Sequence, residues 1–245
     1  MMRFGLIMAG GLGKRMNSTL PKVLHEIYDK PMIYYVIEKA FQAGCSQIGI
    51  IVGKYYQVIK MSIDTYYLND NRISYIIQEE PLGTGHAIKC SLDWMQQNLD
   101  INTDILILSG DVPLISINTL KNLLNKENSL LITKTNNPTG CGRIFFNSEN
   151  NVEKIIEEKD CTEEQREIKY INCGIYNIKL RVLLETINKI TNNNMAKEYY
   201  LTDMIEIANN NNIKINTYEL PEDKTIEVAN INTQEDLANV INSIL

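Results

Sequence analysis

Glycines and cations crowd the first thirty residues. The apolar run Phe4-Gly5-Leu6-Ile7-Met8-Ala9 leads into Gly10-Gly11-Leu12-Gly13, with Lys14, Arg15 and Lys22 just beyond. Glycines let a backbone turn tightly and aim successive N–H groups at an oxyanion. Three cations beside such a turn can neutralise several negative charges together. The chemistry these residues suit is therefore the gripping of phosphate. Their spacing rules out two familiar forms of it. No Gly-x-x-x-x-Gly-Lys-Ser/Thr run is present. The Gly11-x-Gly13 pair begins a dinucleotide fingerprint, but Met16 stands where its third glycine should be.

Further segments rich in glycine, carboxylate and amide follow. In order they are Gln78-Glu79-Glu80-Pro81-Leu82-Gly83-Thr84-Gly85-His86-Ala87, Ser109-Gly110-Asp111-Val112-Pro113-Leu114, Thr139-Gly140-Cys141-Gly142-Arg143-Ile144, Ile156-Glu157-Glu158-Lys159-Asp160, Ile171-Asn172-Cys173-Gly174-Ile175 and Val228-Ala229-Asn230. A glutamine amide offers both a donor and an acceptor, as Gln78 would to a base edge. Asp111 follows an apolar strand, the place where open α/β sheets put ligands.

With these motifs in this order, the chain resembles the sugar-1-phosphate nucleotidylyltransferases over nearly its whole length. The nearest resemblance is to the uridylyltransferase (pyrophosphorylase) domain of the bifunctional bacterial N-acetylglucosamine-1-phosphate enzyme. The resemblance implies transfer of UMP from UTP to N-acetylglucosamine-1-phosphate, giving UDP-N-acetylglucosamine and pyrophosphate, with Mg2+ as cofactor. It further implies that Met8, Ala9, Gly10, Gly11, Lys22, Gln78, Gly83, Thr84, Ser109, Gly110 and Asp111 bind the nucleotide. Arg15, Lys22 and Asp111 would carry the catalysis, and Asp111 and Asn230 the metal, which prefers oxygen ligands. The sugar side would be Gly142, Glu157, Asn172, Tyr199 and Thr202, with Asp203 in the same stretch. Three positions depart from the common pattern: Lys14 for threonine, Ser109 for tyrosine and Glu158 for histidine. The alternatives are another sugar phosphate, such as glucose-1-phosphate, and a non-catalytic nucleotide-sugar-binding protein. A nucleotide-sugar glycosyltransferase is disfavoured, since Asp111 is followed by Val112-Pro113 and not by the second aspartate of an Asp-x-Asp metal site.

The elements that must position these groups are those of an α/β protein, with apolar runs alternating with helical patterns. Strands are expected at Phe4–Ala9, Ile48–Val52, Ile73–Ile77, Ile105–Leu108, Leu130–Thr133, Arg143–Phe146 and Tyr170–Tyr176. Helices are expected at Pro31–Ala43, His86–Met95, Ile117–Leu124, Leu180–Ile190 and Leu201–Ala208. A last helix, running to Leu245, opens at the Thr233-x-x-Asp236 capping box. Asn192–Asn194 and Asn209–Asn212 read as loops. The expected architecture is a Rossmann-like, mostly parallel sheet flanked by helices, as in GT-A-like nucleotidyltransferases, with a smaller sugar-binding lobe. We expect one domain over 1–245. Its nucleotide part covers about 1–115, its sugar part about 116–230 and its closing helix about 233–245, without a hexapeptide-repeat acetyltransferase domain.

Composition bounds the partners. At 245 residues and 44 % hydrophobic, the chain can bury one substantial core. Its net charge of −6 disfavours nucleic acid and anionic membrane as partners, so UTP and a sugar-1-phosphate must be met by a local cationic pocket. No apolar stretch approaches a membrane span or a signal-peptide core. Five scattered cysteines without a Cys-x-x-Cys pair suit reduced thiols, and the expected location is the cytoplasm. The chain is expected to act as a monomer or a homodimer.

Overall fold

The computed structural model describes residues 2–11 and 13–244, apart from the side chains of Lys14 and Ile244. Leu12 and Leu245, and the Lys14 side chain counted above among the phosphate-facing cations, lie outside the described residues. The order begins with β1 (Arg3–Met8), the short hairpin β2 (Glu26–Ile27) and β3 (Lys30–Pro31), α1 (Met32–Gln42), β4 (Gln47–Val52) and α2 (Tyr56–Asp64). It continues with β5 (Ile73–Ile77), α3 (Thr84–Asn98), β6 (Asp104–Ser109), α4 (Ile117–Leu124), β7 (Ser129–Lys134), β8 (Arg143–Phe146) and β9 (Val152–Ile156). The remainder is α5 (Glu163–Arg166), β10 (Tyr170–Lys179), α6 (Leu180–Thr186), α7 (Asp203–Asn210), β11 (Asn216–Leu220) and α8 (Gln234–Ile244).

Seven strands run in the order β11-β7-β10-β6-β1-β4-β5, and β8 and β9 extend the sheet from β10. The pairs β1·β4, β1·β6, β4·β5 and β7·β11 are parallel. β10 alone in the main path runs against its neighbours β6 and β7. The sheet is thus mostly parallel, as the alternation of apolar runs and helices predicts.

Both faces are covered, and successive residues of each central strand enter opposite cores. Phe4 and Leu6 of β1, with Ile105 and Ile107 of β6, pack with α3, α6 and α7. Ile7 of β1, with Leu106 and Leu108 of β6, packs with α1, α2 and α4. A third, small cluster fixes α8 to the β2–β3 hairpin through Ile27, Met32, Ile231, Leu237 and Val240.

Local signals account for most boundaries. α1 buries Met32, Ile33, Val36, Ile37 and Ala40, one continuous helical face, and Pro31 stands immediately before its first residue. It ends in a Schellman turn: Gly44 adopts φ 96°, Cys45 N–H donates to Ala40 O at 3.1 Å, and Gly44 N–H donates to Phe41 O at 2.9 Å. α4 starts at Ser116, whose hydroxyl accepts from Thr119 N–H. The Thr233/Asp236 capping box forms reciprocally, at 3.1 and 2.9 Å.

Several elements differ from the sequence expectation. Asn209 and Asn210 complete α7 and are not loop, because the Asn209 amide donates to Val152 O and Glu153 O on β9. α7 begins at Asp203, after a turn at Leu201–Thr202, and α6 yields at Ile187 to a 3-10 turn that ends at Lys189. β2, β3, α2, β9, α5 and β11 lie outside the sequence expectation. No helix among the described residues is long and apolar enough to cross a membrane.

One buried ion pair ties β10 to β6. Lys179 Nζ lies 2.8 Å from Asp104 Oδ1, with both side chains almost wholly out of water, and donates to Asn102 O at 2.9 Å. Removing one member of such a pair strands the other charge. Asp104→Ala is therefore expected to cost about 3–5 kcal/mol in urea unfolding. The double variant Asp104→Leu/Lys179→Met should recover most of that loss.

Candidate active site

Strand order reverses at β1. The chain first steps outward to β4 and β5, then returns to lay β6 on the other side. Loops at the carboxyl ends of β1, β5 and β6 surround a crevice there, the usual ligand position in such sheets. Met8 pairs with Ser109 in register, so the two loops leave the sheet side by side.

The first loop carries Ala9, Gly10, Gly11 and Gly13. Ala9 N–H is held by Ile51 O at 2.8 Å. Gly13 has φ 58°, and a Cβ there would lie 2.8 Å from Lys22 Cβ, so glycine is required for both conformation and space. Close approach to Gly13 lets Lys22 reach the second loop, where Asp111 is only 4 % exposed. Lys22 Nζ lies 2.5 Å from Asp111 Oδ2 and donates to Asn232 Oδ1 at 3.0 Å. Arg15 Nη2 donates to the same amide oxygen at 3.1 Å. Ser109 Oγ donates to Asp111 Oδ1. Asn230 is exposed, and its segment reaches Asp111 through the backbone, Ile231 N–H donating to Asp111 O at 3.1 Å.

The third segment follows β5. Gln78 is buried, its backbone N–H donating to Val52 O and its Nε2 to Gly83 O at 3.1 Å. Gly83 adopts φ 113°, and a Cβ there would lie 2.5 Å from Tyr199 O. Backbone bonds Tyr199 N–H to Leu82 O and Gly85 N–H to Tyr199 O, at 2.8 and 2.7 Å, join the two stretches. Thr84 Oγ1 accepts from Leu201 N–H.

These loops enclose a cleft of about 250 Å3. Its walls contain every residue expected at the nucleotide except Gly110, which lies behind it against Met8 O and Val23. Glu198 also lines the cleft and was not foreseen.

Of the residues expected at the sugar, Gly142, Glu157, Asn172 and Thr202 come together. Thr202 Oγ1 donates to Glu157 Oε1 at 2.9 Å. A Cβ on Gly142 would lie 3.4 Å from both Glu157 carboxylate oxygens. Asn172 N–H donates to Gly142 O, while its side chain donates to Tyr176 Oη at 2.7 Å and accepts from Gly174 N–H. Glu157, Asp160, Tyr200, Asp203 and Glu206 line a second hollow of about 270 Å3. Burial raises the Glu157 pKa, opposed by the Thr202 hydrogen bond and aided by the Asp160 and Glu198 charges. Burial, with Glu157, Glu206 and Asp160 nearby, pushes Asp203 up to about 6. Tyr199 lies apart from this group, its backbone on Gly83 and Gly85 and its ring 6.1 Å from His86; Tyr200 is the tyrosine at the hollow.

Sequence reasoning missed Asn232, Glu198, His86 and Tyr200. For Asn232, one signal was present: it sits between Asn230 and the Thr233 cap, on a segment whose direction the capping box fixes.

A family model described as nucleotidyl transferase matches residues 4–222. A probable UDP-N-acetylglucosamine pyrophosphorylase of Acanthamoeba polyphaga mimivirus is 45 % identical over 238 residues, covering 94 % of this chain and 92 % of that protein. The bifunctional protein GlmU of Clostridium acetobutylicum is 36 % identical over 246 residues, and that of Thermosipho melanesiensis is 40 % identical over 242. The chain spans about half the length of both, 52 % and 49 %. Among solved structures, UDP-glucose pyrophosphorylase complexed with UDP-glucose superimposes with a TM-score of 0.79 at 20 % identity, covering 100 % of this chain and 98 % of that one. At that identity the likeness is one of fold.

The raised Asp203 pKa has a consequence for stability. An unfolded aspartate releases its proton near 3.8, whereas the folded one keeps it to about 6. Between those values the native state binds more protons, so this group's contribution favours folding at low pH and is lost as pH rises through about 6. The melting temperature of Asp203→Asn should therefore gain on that of the unsubstituted protein as pH rises from 4 to about 6.5. A constant difference across that range would remove Asp203 as the source.

Proposed function

The chain belongs to the nucleotidyl transferase family, and from that premise we propose that it transfers UMP from UTP to N-acetylglucosamine-1-phosphate. A phosphate oxygen of the sugar phosphate attacks the α-phosphorus in line, the bond from that phosphorus to its bridging oxygen breaks, and pyrophosphate leaves. The product is UDP-N-acetylglucosamine. The observation that carries this reading is the meeting of Lys22, Asp111, Arg15 and Asn232 beneath a glycine loop at the strand-order reversal. The relative 45 % identical over nearly its full length, named for that product, supports the choice of sugar.

Little covalent work falls to the protein in such a transfer; positioning and charge dominate. Backbone N–H groups of Gly10 and Gly11 would hold the phosphates. Lys22 would neutralise charge at the reacting phosphorus and Arg15 at the departing pyrophosphate. Gln78, Gly83 and Thr84 would hold the base and ribose, and Glu157, Asn172, Gly142 and Thr202 would meet the sugar. In this reading the nucleotide part covers about 1–115 and the sugar part about 116–230.

The donor set around Asp111 fits magnesium. It consists of hard oxygens, the Asp111 carboxylate and the Asn232 amide oxygen, with the ammonium of Lys22 already between them, and the Asn230 segment meets Asp111 through its backbone. Asp111 and Asn230 would hold the ion, which when bound supplies positive charge to the reacting phosphates. All five cysteines are free thiols, which supports a reducing, cytoplasmic setting.

Pyrophosphate release from purified protein with magnesium and UTP tests the reading, with N-acetylglucosamine-1-phosphate, glucose-1-phosphate or no sugar added. Release with the N-acetylated sugar alone is the expected result. Preference for glucose-1-phosphate would overturn the sugar, and silence with every acceptor would overturn the reaction. Asp111→Asn and Lys22→Ala should each lower turnover by roughly 10²–10³, the scale of one lost preorganised charge contact.

A further inference from the structure

The Gln78 side chain is held by two partners, and together they decide which of its polar atoms the cleft meets. Its Nε2 lies 3.1 Å from Gly83 O and 3.2 Å from His86 Nδ1. A backbone carbonyl only accepts, so the face of the amide turned to Gly83 must be its NH2 group. Both amide hydrogens are then committed, one to Gly83 O and one to His86 Nδ1. That ring nitrogen is accordingly the unprotonated one, and the ring proton is on Nε2. Turning the amide over would set oxygen against oxygen at Gly83 and would require a proton on Nδ1.

With the nitrogen fixed, the oxygen faces the other way. A Cβ added to Gly10 would lie 3.2 Å from Gln78 Oε1, and Gly10 and Gln78 line the same cleft. Among the described residues Oε1 takes no hydrogen bond. The amide therefore presents an acceptor to the cleft and withholds its donors.

That polarity discriminates between pyrimidines. Uracil carries a hydrogen on N3 and can donate it to an acceptor, whereas N3 of cytosine is itself an acceptor. An acceptor held rigidly against cytosine N3 leaves two buried oxygen and nitrogen lone pairs facing each other, which is how a polar pocket rejects the wrong partner.

We propose that His86 sets the preference for UTP over CTP by fixing the Gln78 amide as an acceptor. His86 is a positioning residue and does not itself meet the nucleotide. Its own place is set by α3, where Cys90 Sγ one turn later lies 3.8 Å from both ring nitrogens, and by the Tyr199 ring. The inference rests on Gln78 facing the base, as proposed above, and its test separates the two.

Calorimetric Kd values for UTP and CTP would be measured on the unsubstituted protein, His86→Leu, His86→Asp and Gln78→Ala. The first should prefer UTP. His86→Leu deletes one of the two bonds that orient the amide, and the UTP:CTP ratio should fall by roughly three- to tenfold, the worth of one hydrogen bond. His86→Asp offers a group that only accepts, so the ratio should stay within about twofold of the original. A purely structural role for His86 would weaken both nucleotides alike and leave the ratio unchanged, which overturns the proposal. Loss of preference in Gln78→Ala with full retention in His86→Leu overturns it while sparing the base role of Gln78. Retention in both removes that base role, and with it the proposal.

Discussion

Parallel pairing of β1 with β6 is the constraint on which the rest of the molecule depends. It is a pairing between strands a hundred residues apart, inserted before β6 can turn to meet β10. Because side chains alternate along both strands, their register sends Phe4, Leu6, Ile105 and Ile107 to one core and Ile7, Leu106 and Leu108 to the other. A slip of one residue would exchange the two sets and turn every packed face around. The same register brings Met8 level with Ser109, so the glycine loop and the Asp111 loop cannot avoid each other. Packing and chemistry are specified by a single alignment.

Within the crevice so formed, charge is arranged economically. The chain as a whole is acidic, at −6, yet its cleft must attract polyanions. Lys22 has three ammonium hydrogens, of which one points to Asp111 and one to Asn232, leaving one unassigned. Arg15 spends one of its five on Asn232. The two cations are thereby held near each other by a neutral amide oxygen, and most of the Arg15 donor capacity stays available. A carboxylate in the place of Asn232 would hold them more firmly and cancel the field that an anion needs.

What could be read from residues alone divides along physical lines. β1, β4 and β6 are apolar runs that carry their own evidence of burial, whereas β5, with Ser74 inside it, buries only Ile76 and leaves Ile77 exposed because it is the edge strand. β11, Asn-Thr-Tyr-Glu-Leu, buries only Leu220 and borrows its form from pairing with β7. α2 likewise buries little beyond Ile59 and Ile63. Asn209 and Asn210 look like loop residues and are helical because β9 accepts the Asn209 amide hydrogens, a bond over 57 residues. The site followed the same rule. Positions set by local backbone, such as Gly13 and Gly83, were legible by residue type. Tyr199 and Tyr200 were not distinguishable, since two neighbours in a loop have no period to tell which one turns inward. Asn232 stood among many asparagines, and only its meeting with Arg15 and Lys22 gives it meaning.

The bonds from Asn232 to Arg15 and Lys22 cross 217 and 210 residues. Synthesis is vectorial, at a pace that puts roughly 10–40 s between the emergence of Lys22 and that of Asn232. Within that interval β4 and β5 follow β1 out of the ribosome, and the sheet can begin to assemble. The two cations, however, lack the amide that later holds them together, and the small cluster under α8 has no second half. The contact that joins the two cations thus forms only after most of the sheet that carries them has left the ribosome, and until then each of them stands without the amide oxygen they share.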